Sequence, residues 1–302
     1  MKSNEVCHVT TTSFHGKIGH YETSFEANRY WLFTSKLCPF AHRTEIVRKL
    51  SKLTDAIGLT IAGSVQSSKG WNIGERYQSL DSAASPVEAI SRLPAIYELS
   101  IPNYSGPVSV PVLFDTISNT IINNESAEII QQLDNIAVRH FASPSLYPSD
   151  KRNKIDQIIN QLENEFISPI YRAGFAKNQQ TYHSNFKQVF TYLDKLNKHL
   201  SEPLRYIAGE ELTLADVHVF PHLSRFDSVY HSLYHLNLKY LNSYRHITAY
   251  MTRLSELPAF AETLDIEALK EGYFCSWNQP TNRHFVPEGP IVNSGTGIAL
   301  AQ

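Results

Sequence analysis

The sequence predicts a small α/β domain followed by an all-helical domain, and three observations carry that prediction. Between residues 30 and 63 a strand, a helix and a second strand follow one another at the spacing of a parallel β-α-β unit. Two short strands between residues 108 and 123 then lead into another helix. Beyond about residue 150 the apolar side chains recur only at helical spacing.

In chain order, residues 1–29 are polar and irregular, with scattered aromatics such as Phe14 and Phe25, and read as an arm lying on the body. Residues 30–33 are aromatic and apolar without a breaker, as a strand requires. After a short loop Pro39 suits the first turn of a helix, whose apolar face is Ile46, Val47, Leu50 and Leu53. Residues 59–63 read as the second strand. Residues 66–107 are a long mixed insertion holding Gly70, Trp71 and Tyr77, with a short helix at 93–99 and a turn at 102–107. A connection of that length is usually functional or a lid. Residues 108–114 read as a strand containing Pro111, which confines it to an edge, a bulge or a special bond. Residues 120–123 complete a hairpin, and a helix opens at 124–130.

Residues 134–150, with Pro144 and Pro148, read as a linker. Ile155, Ile158, Ile159, Leu162 and Phe166 then form one apolar stripe, and Phe186, Val189, Phe190, Leu193, Leu196 and Leu200 another. Thr213 and Asp216 frame a capping box, a folding feature without chemistry of its own. Segments 240–256 and 258–271 add further helices. The expected organisation is an arm at 1–29, an α/β domain at 30–135 with its insertion at 66–107, a helical domain at 150–290 and a tail at 291–302.

Composition narrows the function classes. Lys+Arg 27 nearly balances Asp+Glu 29, so neither a nucleic-acid footprint nor a polybasic membrane patch is expected. Cys7, Cys38 and Cys275 are too few, and odd in number, for a disulfide framework. A reducing compartment, the cytoplasm, fits better. No apolar run reaches the roughly 18 residues of a membrane span, and no signal peptide is evident.

The chemistry centres on Cys38. A thiol just before Pro39 stands at a helix N-terminus, where free amide N–H groups and the helix dipole favour the thiolate. Arg43 can add a positive field. Position 41 is alanine, so this is not a Cys-x-x-Cys pair, and a lone thiolate needs an external thiol to close a redox cycle. The competing reading is a buried, inert cysteine. His218 and His222, and His231 and His235, have metal-like spacing, but Pro221 interrupts the first pair and no carboxylate or thiol nearby in sequence completes a set, so no metal is expected.

Several motifs resemble one family. The order of elements is similar to the glutathione transferase superfamily, a thioredoxin-like domain followed by an all-helical one. Residues 38–43, Gly70-Trp71, 103–106, 108–115, 123–130, 171–176, 225–230 and 272–274 resemble its xi class, the glutathionyl-hydroquinone reductases. Two departures stand out: Cys-Pro-Phe-Ala replaces the usual Cys-Pro-Trp-Ala, and the segment after Tyr273 differs.

The resemblance implies glutathione as co-substrate, an aromatic or quinol small molecule as the other partner, and a homodimer. It implies that Cys38 is the covalent nucleophile, with Tyr171 and Tyr273 holding their hydroxyls near the sulfur and the quinol. Pro111 would be a cis-proline presenting the Val110 backbone to glutathione, with Trp71 against the tripeptide. Glu125 and Ser126 would receive its γ-glutamyl end. Plain alternatives stand beside these roles: Trp71 as a plug for the insertion, Asn124 as an ordinary helix cap, and the tyrosines as packing with a wet tip. Within enzymes the rival is a conjugating transferase, which would use a Ser or Tyr hydroxyl; outside them it is a binding module with an inert Cys38.

Overall fold

A computed structural model describes residues 14–18, 25–73, 90–280 and 285–300; Cys7, Tyr77 and most of the expected arm lie outside the described residues. The first half is a four-stranded sheet with strand order β2-β1-β3-β4, where β1 is Tyr30–Ser35, β2 Ile57–Ala62, β3 Val112–Asp115 and β4 Thr120–Asn123. β1 pairs parallel to β2 and antiparallel to β3, and β4 closes the hairpin. The parallel pair is joined by helix α1, Pro39–Leu50, as a crossover connection requires. Helix α2 is Leu93–Ser100 and helix α3 Ser126–Phe141. α3 packs beside α1, and α2 lies against β4. All six residues of β1 are buried, which explains its unbroken apolar reading.

Three sequence boundaries are corrected, each for a visible reason. β2 begins at Ile57, before Gly58, because the Trp31 ring covers that glycine so closely that a Cβ would stand 2.0 Å from it. Gly58 is the seat of a cross-strand aromatic. β3 begins only at Val112, so Pro111 precedes the strand instead of interrupting it. α3 continues through residues read as linker and stops at Ala142, whose φ of 49° is left-handed, with Pro144 just beyond. The tail also folds: Val292 and Ala299 bridge, and the Ala299 N–H donates to the buried Asp227 at 2.7 Å. Of the arm, Phe14–Ile18 runs along β4, with Gly16 donating to the Ile122 carbonyl at 2.8 Å.

The second half is helical. α4 (Arg152–Leu162) passes through a π turn at Glu163–Ile167 into α5 (Ser168–Gly174) without a break. α6 is Gln179–His199, and α7 is Leu214–Arg225, which continues through a second π turn, Phe226–Tyr230, into the short α8, His231–Leu233. α9 (Arg245–Ser255), α10 (Pro258–Ala261) and α11 (Ile266–Cys275) complete it. The capping box at Thr213 forms as read, and Asp216 also accepts from the Ile207 N–H and the Tyr250 hydroxyl. α1 touches α7 and α10, so the helix that begins at Cys38 sits between the sheet and the helical half. Among the described residues no helix is long and apolar enough to cross a membrane.

Candidate active site

The site is built at the N-terminus of α1. Cys38 is its N-cap; Sγ accepts from the Ala41 N–H at 3.4 Å and lies 3.5 Å from the Val110 carbonyl, to which the thiol donates. The sequence expectation of a thiol favouring the thiolate is corrected: burial pushes the Cys38 thiol above its ordinary value, outweighing the Ala41 and Phe40 amides and the fields of Arg225 and Arg43. The side chain is half-buried, and the groups that would hold a thiolate are in place around it.

Two buried arginines fix this helix end. Arg225 donates to the Lys36 carbonyl at 2.7 Å, to the Pro221 carbonyl at 2.8 Å and to His42 Nδ1 at 3.1 Å, pinning the loop that leads into Cys38. His42 Nε2 stands 2.9 Å from Thr263 Oγ1, so this histidine packs and braces and does not reach the thiol. Arg43 pairs with Glu163 at 2.8 Å, lies over the Phe40 ring at 4.8 Å and approaches His222 Nε2 at 3.4 Å. Burial raises the Glu163 carboxyl, but His218 beside it and the Arg43 guanidinium outweigh that and hold it well below the usual carboxylate range. Burial first and Arg43 second keep His218 neutral, at about 4.

The tyrosines do come together. Tyr230, fully buried, holds its hydroxyl 3.4 Å from those of both Tyr171 and Tyr273. Tyr171 stacks on Phe40, two residues from the thiol, with ring centroids 6.3 Å apart. Tyr273 lies inside α11, not beyond the last helix as its sequence pattern reads. Burial pushes all three phenols up, Tyr171 and Tyr230 strongly; Arg225 restrains Tyr273, which also feels any charge on Cys38.

The remaining expected residues fall at the bond before β3, in the insertion and at the start of α3. The Val110–Pro111 bond is cis. Tyr97 anchors the preceding residue, donating to the Ser109 carbonyl at 2.8 Å, and its oxygen also takes Asn124 Nδ2 at 3.3 Å. Trp71 is buried in the core and its carbonyl accepts from Leu93 N–H, which fits a plug for the insertion. Glu125 and Ser126 open α3, but Asn124 does not cap it: its Oδ1 accepts from Phe14 N–H instead, while Asn123 Oδ1 takes the Glu125 N–H at 2.7 Å. Glu125 is exposed and Ser126 buried, with the free amides of the helix start beside them.

Glu163 and Tyr230 were not named as contributors from the sequence, and His222 was noted there only for its metal-like spacing with His218. Glu163 brings a carboxylate 3.5 Å from His218, which sequence reading did not supply. His231 instead stacks on Tyr240 at 4.0 Å, away from that pair. Among the described residues no three metal-ligating side chains gather.

Comparisons with known proteins identify the family of the fold. Residues 37–136 match the family model described as glutathione S-transferase, N-terminal domain, and residues 159–258 the corresponding C-terminal domain. The chain belongs to the glutathione transferase superfamily. It is 36% identical over 276 residues to glutathione S-transferase omega-like 2 of Schizosaccharomyces pombe, covering 89% of this chain and 87% of that one. It is 31% identical to the glutathionyl-hydroquinone reductase PcpF of Sphingobium chlorophenolicum, with 88% and 84% covered. A solved Xi glutathione transferase of Saccharomyces cerevisiae, in complex with glutathione, superposes with a TM-score of 0.82 at 28% identity, covering 92% of this chain and 97% of that one. The sheet and the helices after Arg152 are therefore the thioredoxin-like and all-helical parts of a glutathione transferase fold.

Proposed function

We propose that this transferase removes glutathione from glutathionyl-hydroquinones through a mixed disulfide on Cys38. One observation carries the reading: a single thiol at a helix start, facing the Val110 backbone, with a trio of tyrosine hydroxyls joined to that helix start through the Phe40 ring. The Cys38 thiolate attacks the sulfur of the thioether; the S–S bond forms, the S–C bond breaks, and the electron pair and a proton go to the aryl carbon. A second glutathione, as thiolate, then attacks the glutathionyl sulfur of the mixed disulfide, releasing oxidised glutathione and the Cys38 thiolate. Glutathione is the two-electron reductant. No metal enters the scheme.

Support comes from the relatives named as reductases and omega-like transferases, which match 89% and 88% of this chain. A conjugating transferase would place a hydroxyl where Cys38 stands. A binding module would not need two buried arginines in the field of one thiol. The homodimer and the cytoplasmic setting belong to the same reading. The test is mass spectrometry of the enzyme quenched during turnover of a glutathionyl-hydroquinone: one glutathionyl group on the peptide holding Cys38 is expected, and turnover without it would refute the mechanism.

The glutathione subsite follows from the same reading, with Trp71, the Val110 backbone beside Pro111, Glu125 and Ser126 around the tripeptide. Glu125 takes the ammonium and Ser126 with its neighbouring amides the carboxylate. Glu125→Ala and Ser126→Ala are each expected to weaken glutathione binding by about tenfold in calorimetry, the loss of about 1.5 kcal/mol that one charge-assisted hydrogen bond represents. Melting temperature should change little, because neither side chain caps α3. Stability falling in step with affinity would mean that the pair serves only the helix.

A further inference from the structure

We infer that Tyr230 is a positioning residue that makes Tyr273, and not Tyr171, the proton donor of the reaction, with its own orientation set by Arg43 through His222. The inference rests on the reductase reading above. It begins at Arg43, whose guanidinium carries only donors. Its Nη2 stands 3.4 Å from His222 Nε2, so that nitrogen is the bare acceptor and the hydrogen of neutral His222 sits on Nδ1. Nδ1 is 3.4 Å from the Tyr230 hydroxyl, so the Tyr230 oxygen accepts there.

Tyr230 then has one hydrogen to give and two phenols in reach, each at 3.4 Å. Tyr273 is the better acceptor, since the Arg225 guanidinium favours negative charge on its oxygen, whereas Tyr171 is surrounded by other phenols. Tyr171 in turn donates to the second lone pair of Tyr230. Every position at Tyr230 is thereby filled, and the hydrogen of Tyr171 is committed inward. The hydrogen of Tyr273 is left free for the substrate side. Distances of 3.4 Å are long for O–H···O bonds, and catalytic hydrogen bonds of this kind tighten as charge develops in the reaction.

The proton balance is complete. As the S–C bond breaks, Tyr273 gives its proton to the aryl carbon, and the phenolate is held by the Tyr230 hydroxyl and Arg225. When the second glutathione attacks, its thiol proton returns to Tyr273. Burial keeps the three phenols and His222 from ionising in the resting state, so the chain holds one direction.

The test compares two reactions of the full-length enzyme. One is turnover of a glutathionyl-hydroquinone, which needs a proton on carbon. The other is reduction of the mixed disulfide of glutathione and 2-mercaptoethanol, whose thiolate leaves without one. Tyr230→Phe is expected to lower kcat for the first about tenfold to a hundredfold more than for the second, with KM for glutathione little changed. Tyr273→Phe should show the same selective loss, and Tyr171→Phe a smaller one. Equal loss on both substrates, or a loss in Tyr171→Phe as large as in Tyr273→Phe, would overturn the inference. A wild-type enzyme active on the disulfide but inactive on the hydroquinone would instead overturn the reading on which it rests.

Discussion

Cys38→Ser should reduce turnover of a glutathionyl-hydroquinone to the background rate of glutathione alone, while the fold survives. The chemistry allows no partial substitute. A serine hydroxyl is far less acidic than a thiol, and even a serine alkoxide cannot form a disulfide, so neither half of the cycle has an intermediate to pass through. The fold has reason to be indifferent. Cys38 is the N-cap of α1 and already accepts from the Ala41 N–H, a position at which serine is among the preferred residues. The change removes no buried volume of consequence, since the side chain is half-buried. Melting temperature should therefore be equal or slightly higher, which separates lost chemistry from lost structure. Cys275→Ser, at the far end of α11, should keep most activity. Turnover retained in Cys38→Ser would remove the mechanism; turnover lost in Cys275→Ser would make that thiol a resolving partner.

What the sequence could and could not reveal divides along physical lines. The strand at β1, the helix start at Cys38 and the capping box at Thr213 are local events, each written in a few neighbouring residues, and each stands where it was read. The start of β2 was missed because the place of Gly58 is set by Trp31 on another strand. The tyrosine trio was half legible. Tyr171 and Tyr273 were named through a family resemblance, but Tyr230, which joins them, was left as part of a motif. Helical periodicity could not place it beside His222, because the π turn at Phe226–Tyr230 shifts the register by about one residue. Glu163 sits in the other π turn and was hidden in the same way. The upward push on Cys38 was not legible either, since a helix start reports the amides and the dipole, while burial depends on everything that later folds over the thiol.

Glu163→Ala should cost about 3–5 kcal/mol of stability, the largest loss expected from a single side chain far from the thiol. Arg43 is only 2% exposed, and among the described residues Glu163 is its one carboxylate partner, at 2.8 Å. Without Glu163 the guanidinium stays buried in the α1–α7 contact, facing the neutral His222 and the Phe40 ring, and its Nε already lacks a hydrogen-bond partner. An uncompensated buried cation is expensive because its lost hydration is no longer offset. Glu163→Gln keeps an acceptor oxygen and should lose less. The double variant Arg43→Met with Glu163→Leu should recover much of the loss, since removing both charges also removes the desolvation cost. It should not recover activity on a glutathionyl-hydroquinone, because Arg43 also fixes the hydrogen of His222 and through it the hydroxyl chain. Chemical denaturation of the four proteins reads the stability terms, and steady-state kinetics reads the rest. A Glu163→Ala protein as stable as wild type would show that Arg43 finds solvent on its own, and a double variant with full activity would show that the ion pair has no hold on the tyrosines.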